Sequence, residues 1–280
     1  MSADFDFVIV NDVLDETLKQ VDDIGIAVIG QTANITPADK KLYSLRDVTG
    51  TVDSIGLIAS SIMSKKLASG ASKILLDVKV GEGAFMKNLE DARKLAHSMV
   101  NIGNSVGRST VAVLTNMNEP LGKMVGNSLE VIEAIDTLKG RGPKVFTELC
   151  YELSAQMLLM TGISTSREAA IELVNQQIKS GAALNKLKEM IIAQGGDPLV
   201  IDNYDLLPKS KYKVAVVANS TGYVKDINAE EIGLAGMVLG SGRATKDDII
   251  DPAVGVEIIA SVGDFVKQGD ALVNLYYNNK

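Results

Sequence analysis

Four side chains that together could bind a flat, polar ring recur at helical spacing in the segment DSIGLIASSIMSKKLA, residues 53–68. They occupy positions i, i+3, i+4 and i+7 of one predicted helix and are Ile58, Ser61, Ile62 and Lys65. Because this spacing brings residues to the same side of a helix, a hydroxyl and an ammonium would lie beside two branched apolar side chains. Arg46, near the end of the preceding predicted helix, can reach the same place.

This group has the chemistry of a site for a ring with polar edges. Arg46 and Lys65 would donate hydrogen bonds to carbonyl oxygens, Ser61 would meet a ring N–H, and the isoleucines would pack against an apolar edge. An ordinary amphipathic helix with solvated basic ends has the same spacing. The spacing alone therefore leaves both interpretations open.

A glycine-containing loop, Gly81-Glu82-Gly83, follows a predicted strand and precedes a predicted helix. That context suits anion binding at a helix N-terminus. The dinucleotide-binding fingerprint requires a third glycine where this chain has Met86, and Glu82 would repel an anion. We therefore expect a structural turn here rather than a phosphate site.

The chain has one histidine and one cysteine, which limits the possible chemistry. A disulfide framework, a thiolate metal cluster and a histidine metal cluster are all excluded. His97 has no apparent partner in the sequence, so we expect an exposed helix residue rather than a general base. Cys150, in TELCYELSAQML, is expected to be a buried helix residue.

Two glutamates, Glu130 and Glu133, follow the turn-like sequence Pro120-Leu121-Gly122 near a predicted helix start. They can be surface charges, or one can join loop carbonyl oxygens around a hard cation.

Composition indicates an ordinary globular protein of roughly two domains. Of the 280 residues 46% are hydrophobic and 22% are charged, with 28 Lys and Arg against 35 Asp and Glu, a net charge of −7. This acidic balance argues against broad binding to nucleic acid or to an anionic membrane. No apolar run is long enough to span a bilayer, and the acidic start MSADFDFVIVND is unlike a secretory signal. We expect a cytoplasmic location.

Strand and helix patterns alternate along most of the chain, which predicts an α/β fold with a mainly parallel sheet flanked by helices. After Pro208 short strands separated by glycines predict a C-terminal α+β unit rich in hairpins. The predicted strands are Ile24–Ile29, Ile74–Val80, Thr110–Thr115, Lys211–Asn219, Gly222–Ile227 and Val254–Ala260. The predicted helices are Thr36–Asp47, Ser54–Ala68, Leu89–Ile102, Ser128–Leu138, Val145–Met160, Arg167–Lys179 and Leu184–Gln194.

These patterns divide the chain into three parts. Residues 1–36 and 70–208 would form the α/β core with its helices, residues 37–69 a helical segment with the ring-binding side chains, and residues 209–280 the C-terminal unit.

Long ordered blocks of the sequence resemble the pyrimidine-nucleoside phosphorylase and thymidine phosphorylase family. They begin with ADKKLYSLRDVTGTVDSIGLIASSIMSKKLASGASKILLDVKVGEGAFMK. MNEPLGKMVGNSLEVIEAIDTLKGRGP, SGAALNKLKEMIIAQGGD and LGSGRATKDDIIDPAVG follow in the same order. The resemblance covers nearly the whole chain from about Gln31, and the pattern is closer to the bacterial pyrimidine-nucleoside type.

The resemblance implies a transferase of pyrimidine salvage that cleaves uridine, deoxyuridine or thymidine with inorganic phosphate. The products would be the free base and a pentose 1-phosphate. The family's arginine, serine and lysine contacts to the pyrimidine fall on Arg46, Ser61 and Lys65. Its remaining pocket residues fall on Tyr43, Val52, Ile58, Ile62 and Phe85. Asp39 matches an aspartate near the family's catalytic histidine, so Arg46, Lys65 and Asp39 are the implied catalytic residues.

The resemblance also implies a potassium ion and a homodimer. The potassium ligands would be the backbone oxygens of Leu121 and Met124 and the carboxylate of Glu133. Met124 replaces a smaller residue usual there, which a carbonyl ligand tolerates.

The family's KHSTGGVGD-type loop, which holds phosphate and the catalytic histidine, has no counterpart in this sequence. The chain therefore corresponds to the C-terminal two-thirds of the family's length, and we expect it to be inactive alone. An engineered piece, a cleavage product and one part of a split enzyme all fit this expectation.

Two other functions remain open. A phosphoribosyltransferase of related architecture would share the fold, although its diphosphate loop is also missing. A non-catalytic protein that binds a base or another partner would keep the ring site without turnover.

Overall fold

The structure is a computed structural model that describes residues 14–28, 36–39, 41–42, 49–51, 54–245 and 247–279. The helices are α1 Leu14–Ile24, α2 Ile55–Ala68, α3 Leu89–Ser105, α4 Asn127–Leu138, α5 Lys144–Met160, α6 Arg167–Lys179, α7 Ala182–Ala193 and α8 Ala229–Leu239. The strands are β1 Lys73–Val80, β2 Ser109–Asn116, β3 Met124–Val125, β4 Tyr212–Val217, β5 Gly222–Tyr223, β6 Gly255–Ile258, β7 Phe265–Val266 and β8 Ala271–Tyr277. Two short 3₁₀ helices span Pro198–Ile201 and Tyr204–Leu206, and residues 37–39 and 41–42 are also helical.

Strands β1 and β2 form a parallel pair, in register from Lys73 opposite Ser109 to Val80 opposite Asn116. Alternate residues of β1 point into a core shared with α2 and α3, because a strand places successive side chains on opposite faces. This core includes Ala59, Met63, Leu76, Val78 and Met99. Parallel strands joined by a helix confirm the predicted α/β class.

Helix α2, which carries the candidate ring-binding face, has the predicted bounds. Ser54 precedes it with an extended backbone, and the chain leaves it through Gly70, whose φ is +79°. That left-handed conformation favours glycine, which explains why the helix ends there. The next helix, α3, begins after Asn88, whose side chain accepts a hydrogen bond from the backbone N–H of Asp91.

The C-terminal strands form an antiparallel sheet in the order β3-β6-β8-β4, while β5 pairs with β7. Strand β3 comes from the middle of the chain and pairs Met124 with Glu257 of β6. The three-part division of the chain stays a prediction, and this pairing links its α/β core, residues 70–208, to its C-terminal unit, residues 209–280.

Two predicted strands differ in the structure. Ile24 is the last residue of α1, and residues 25–28 form no strand, although an apolar run of this length is compatible with one. The side-chain amide of Gln194 forms hydrogen bonds with both the N–H and the C=O of Val28. These are the backbone groups that a neighbouring strand would otherwise bond. The predicted strand Gly222–Ile227 is reduced to β5.

Helix α8 is absent from the predicted elements. Its sequence AEEIGLAGMVL contains two glycines, which weaken helix propensity and hide the helical signal. The start signal was present, since the side chain of Asn228 accepts a hydrogen bond from the N–H of Glu231.

Across the part of the chain that the structure describes, none of the helices has the length and apolar character needed to cross a bilayer.

Candidate functional site

The structure brings together three of the predicted site residues, Asp39, Ser61 and Lys65. The ammonium of Lys65 lies 2.6 Å from Oδ2 of Asp39, and the hydroxyl of Ser61 donates to the same oxygen at 3.1 Å. Ser61 is buried, and the side chains of Asp39 and Lys65 are 12% and 20% exposed. The partial burial matters because an ion pair gains strength when water is largely excluded.

Every donor of Lys65 has a partner within this cluster. Besides Asp39, the ammonium donates to the backbone oxygen and to Oγ of Ser61, each at 3.0 Å. An ammonium has three N–H groups, so a ligand carbonyl must take the place of one of these acceptors. The cluster is therefore a preformed polar wall from which one hydrogen bond must be exchanged when a ligand binds.

An apolar cavity of about 280 Å³ lies between α2, β1 and α3. Ile58 and Ile62, on the same helix face as Ser61 and Lys65, contribute to its lining, as does Phe85 from the loop after β1. Phe85 is 74% exposed, so its ring stands at the rim rather than in the core. The combination of a small apolar cavity with a few polar groups is typical of a small-molecule site.

Tyr43, Arg46 and Val52, the other predicted contacts of the ring, lie outside the described residues. Their part in the site stays a prediction.

The loop at Gly81 is a structural turn, as expected. The N–H of Gly81 donates to Met86 O, and the N–H of Gly83 donates to Met117 O. A Cβ on Gly81 would lie 2.6 Å from the backbone nitrogen of Asn118, so glycine is required for the close approach of two chain segments. These two loop N–H groups are bonded within the protein and do not form an anion cradle.

His97 is exposed on α3, in agreement with the interpretation of a helix surface residue. Cys150 is half-buried on α5, and this burial raises the pKa of its thiol. A raised pKa lowers the thiolate fraction, which makes Cys150 a poor nucleophile.

Glu133, the predicted cation ligand, is buried on α4 at 8% exposure. Its Oε2 accepts a hydrogen bond from the N–H of Lys123 at 2.7 Å, and Oε1 packs against Gly122, where a Cβ would lie 2.0 Å away. Desolvation raises the pKa of this carboxyl, although the N–H groups of Lys123 and Met124 oppose the rise. Within the described ranges, no cationic side chain forms an ion pair with it.

A buried carboxylate that accepts hydrogen bonds from loop N–H groups has the oxygen chemistry that a hard cation prefers. In the portion of the chain with described coordinates, no three His, Cys, Asp or Glu side chains group as they would around a metal.

A second charged group, which the sequence analysis missed, lies at the carboxyl end of the parallel strands. Nζ of Lys79 is 2.6 Å from Oδ2 of Asp77, and Thr115 Oγ1 donates to the other oxygen of that carboxylate. Nζ of Lys79 is close enough to Asp77 to form an ion pair, but it makes no hydrogen bond to any described residue. The signal was two charges at alternate positions of an otherwise apolar strand.

Comparison with known proteins agrees with the resemblance. Residues 6–184 match the model of the glycosyl transferase family, a/b domain, and residues 223–280 match that of the pyrimidine nucleoside phosphorylase C-terminal domain. The pyrimidine-nucleoside phosphorylase of Staphylococcus aureus (strain USA300) is 53% identical over 263 residues, which cover 94% of this chain and 61% of that protein. The protein of the same name from Staphylococcus haemolyticus (strain JCSC1435) is 52% identical over 266 residues, covering 95% and 61%.

The chain thus spans 61% of the length of these relatives. The two family models cover the chain as far as residue 184 and again from residue 223 to its last residue. From these matches, the chain belongs to the glycosyl transferase family, in its pyrimidine-nucleoside phosphorylase branch.

Proposed function

We propose that this chain binds the base in the phosphorolysis of pyrimidine nucleosides such as uridine, deoxyuridine and thymidine, which yields free base and pentose 1-phosphate. The observation that supports this function is that Asp39 bonds Ser61 and Lys65, which lie on the helix face whose isoleucines line an apolar cavity. The relatives' name, pyrimidine-nucleoside phosphorylase, agrees with this chemistry.

In this reaction the bond between C1′ of the pentose and the ring nitrogen breaks, and its electron pair passes to the base. A phosphate oxygen forms the new bond to C1′. Negative charge develops on the carbonyl oxygens of the departing pyrimidine, so a cation that donates to one of them stabilises the transition state more than the ground state. Lys65 would supply that cation, and Arg46 would supply a second.

Base binding is the direct test of this proposal. Titration of the chain with uracil, followed by calorimetry, is expected to show saturable binding at one site, whereas adenine, which is too large and has a different donor pattern, is expected to bind far more weakly. Equal binding of both bases, or of neither, would refute a pyrimidine site.

Turnover is expected to need more than base binding. A polypeptide of these 280 residues, incubated with uridine and phosphate, should release uracil at a rate close to the blank, because nothing in its sequence matches the family's phosphate loop. Uracil release is measured by chromatography. A rate within tenfold of that of an S. aureus-type phosphorylase would contradict this expectation.

We also propose that Glu133 and the backbone oxygens of Leu121 and Met124 hold a potassium ion, which neutralises the buried carboxylate. Burial raises the pKa of Glu133 above its value of about 4.3 in an unfolded chain. The folded state then binds the proton more tightly, so without potassium the free energy of unfolding falls as pH rises from about 4.3 through the raised pKa.

Potassium should oppose that fall, because it stabilises the ionised form. At ten times its dissociation constant, the ion would add about 1.4 kcal/mol to the free energy of unfolding. Urea unfolding at several pH values, in potassium chloride and in choline chloride of equal ionic strength, measures both effects. Glu133→Gln should remove the potassium effect, while the exposed Glu172→Gln should retain it. An effect that survives Glu133→Gln would exclude this site.

A pyrimidine base or nucleoside is the ligand this proposal requires. A homodimeric whole enzyme and a cytoplasmic location stay predictions, as does the absence of nucleic-acid and membrane partners.

A further inference from the structure

We propose that Asp39 is a specificity-determining residue: it fixes Ser61 as a hydrogen-bond acceptor, so that the site selects rings with an N–H beside a carbonyl. The inference rests on the proposed binding of a pyrimidine base. It assigns to Asp39 a positioning role through Ser61 and Lys65, in addition to its implied place near a catalytic histidine.

The directions of the hydrogen bonds follow from the chemistry of the three groups. An ionised carboxylate only accepts and an ammonium only donates. Ser61 must therefore spend its single hydroxyl hydrogen on Oδ2 of Asp39, at 3.1 Å, and must accept from Lys65 at 3.0 Å. Among the described residues no other group bonds Ser61 Oγ, so the capacity that remains to it is that of an acceptor.

In this proposal ligand binding exchanges the bond from Lys65 to Ser61 Oγ rather than the shorter ion pair with Asp39. Lys65 donates to Asp39 at 2.6 Å, a charge-assisted pair, and to the neutral Oγ of Ser61 at 3.0 Å. Transfer of the second bond to a ligand carbonyl keeps the ion pair intact. It also frees a lone pair of Ser61, which then faces the ligand as an acceptor.

The resulting wall presents a donor, Lys65, next to an acceptor, Ser61. Uracil and thymine present the complement, a carbonyl next to the N3–H group. Cytosine presents an amino group next to an N3 without a hydrogen. Its amino donor would face the donor Lys65, and its N3 acceptor would face the acceptor Ser61. A site built in this way rejects a ring whose polar groups would be left unpaired.

The test compares the affinities of the chain for uracil and for cytosine, each titrated as the free base. In Asp39→Asn the amide can donate to Ser61 Oγ, which releases the hydroxyl hydrogen toward the ligand. We expect the ratio of uracil to cytosine affinity to fall about tenfold or more. Asp23→Asn, an exposed carboxylate on α1, is the matched control and should keep the wild-type ratio.

The ratio of uracil to cytosine affinity distinguishes a positioning role from a general structural role, because a disturbed fold would weaken the binding of both bases equally. An unchanged ratio in Asp39→Asn, or an equal loss of both affinities, would overturn the inference while uracil binding by the wild type upholds the proposed function. If Asp39→Asn does not fold, Ser61→Ala serves instead, and it too should lower the ratio; a retained ratio would overturn the inference. A wild-type chain that binds neither base would overturn the proposed function and this inference together.

Discussion

Lys65→Ala is expected to weaken pyrimidine binding by the chain, and to lower kcat/KM about 10- to 150-fold in an enzyme reconstituted with a phosphate-binding segment. The range corresponds to the loss of one charge-assisted hydrogen bond, about 1.5–3 kcal/mol. The substitution also leaves the carboxylate of Asp39, which is 12% exposed, without its ammonium partner. An unpaired negative charge at that place opposes the charge that develops on the base, so we expect the upper part of the range.

Lys66→Ala is the internal control for this substitution. Lys66 is the exposed neighbour of Lys65 on α2, and its side chain leaves the helix about 100° away from that of Lys65. Uracil affinity by calorimetry and kcat/KM by chromatography are compared for both variants. Equal losses in the two variants, or no loss in Lys65→Ala, would remove Lys65 from the site and restore the interpretation of a solvated helix end.

Gly126→Ala is expected to lower the free energy of unfolding strongly, by about 3 kcal/mol or more. Gly126 has a φ of +136°, and an added Cβ would lie 2.4 Å from the backbone oxygen of Val254. Backbone strain in this region costs of order 1–3 kcal/mol, and the contact adds to it because the atoms that the new Cβ would meet belong to the main chain.

Gly107→Ala separates these two contributions. Gly107 has a φ of +74° with open space around it, so alanine there meets the conformational strain without the contact. Chemical denaturation of both variants should give a small loss for Gly107→Ala and a large one for Gly126→Ala. Similar losses of unfolding free energy in the two variants would mean that the backbone around the β3–β6 pair shifts to accommodate the new methyl group.

Local sequence patterns were sufficient for the parts of the site that lie on one element. The face of Ile58, Ser61, Ile62 and Lys65 follows from a period of 3.6 residues. In the structure the two isoleucines line a cavity, while Ser61 and Lys65 bond each other and Asp39. The turn at Gly81 followed from the missing third glycine. The helix end at Gly70 followed from the ease with which glycine adopts a left-handed backbone conformation.

Contacts between distant segments could not be derived in this way. The bond from Ser61 to Asp39 joins residues 22 positions apart, and no periodicity encodes it. The apolar run after Ile24 was predicted as a strand, but the same composition also occurs in an irregular segment. Here the segment is held by hydrogen bonds from the side chain of Gln194 to Val28. The acceptor role of Ser61 likewise depends on tertiary contacts.

The backbone of Lys123 connects helix α4 to the C-terminal sheet through two hydrogen bonds. The N–H of this residue is held by Glu133 on α4, while its carbonyl oxygen accepts from the N–H of Ile258 on β6 at 2.7 Å. The hydrogen bonds of this one residue therefore connect the C-terminal sheet to the buried carboxylate of Glu133. Because an ionised carboxylate accepts a stronger hydrogen bond than a protonated one, we expect the amide hydrogen of Ile258 to exchange more slowly with deuterium when Glu133 is ionised.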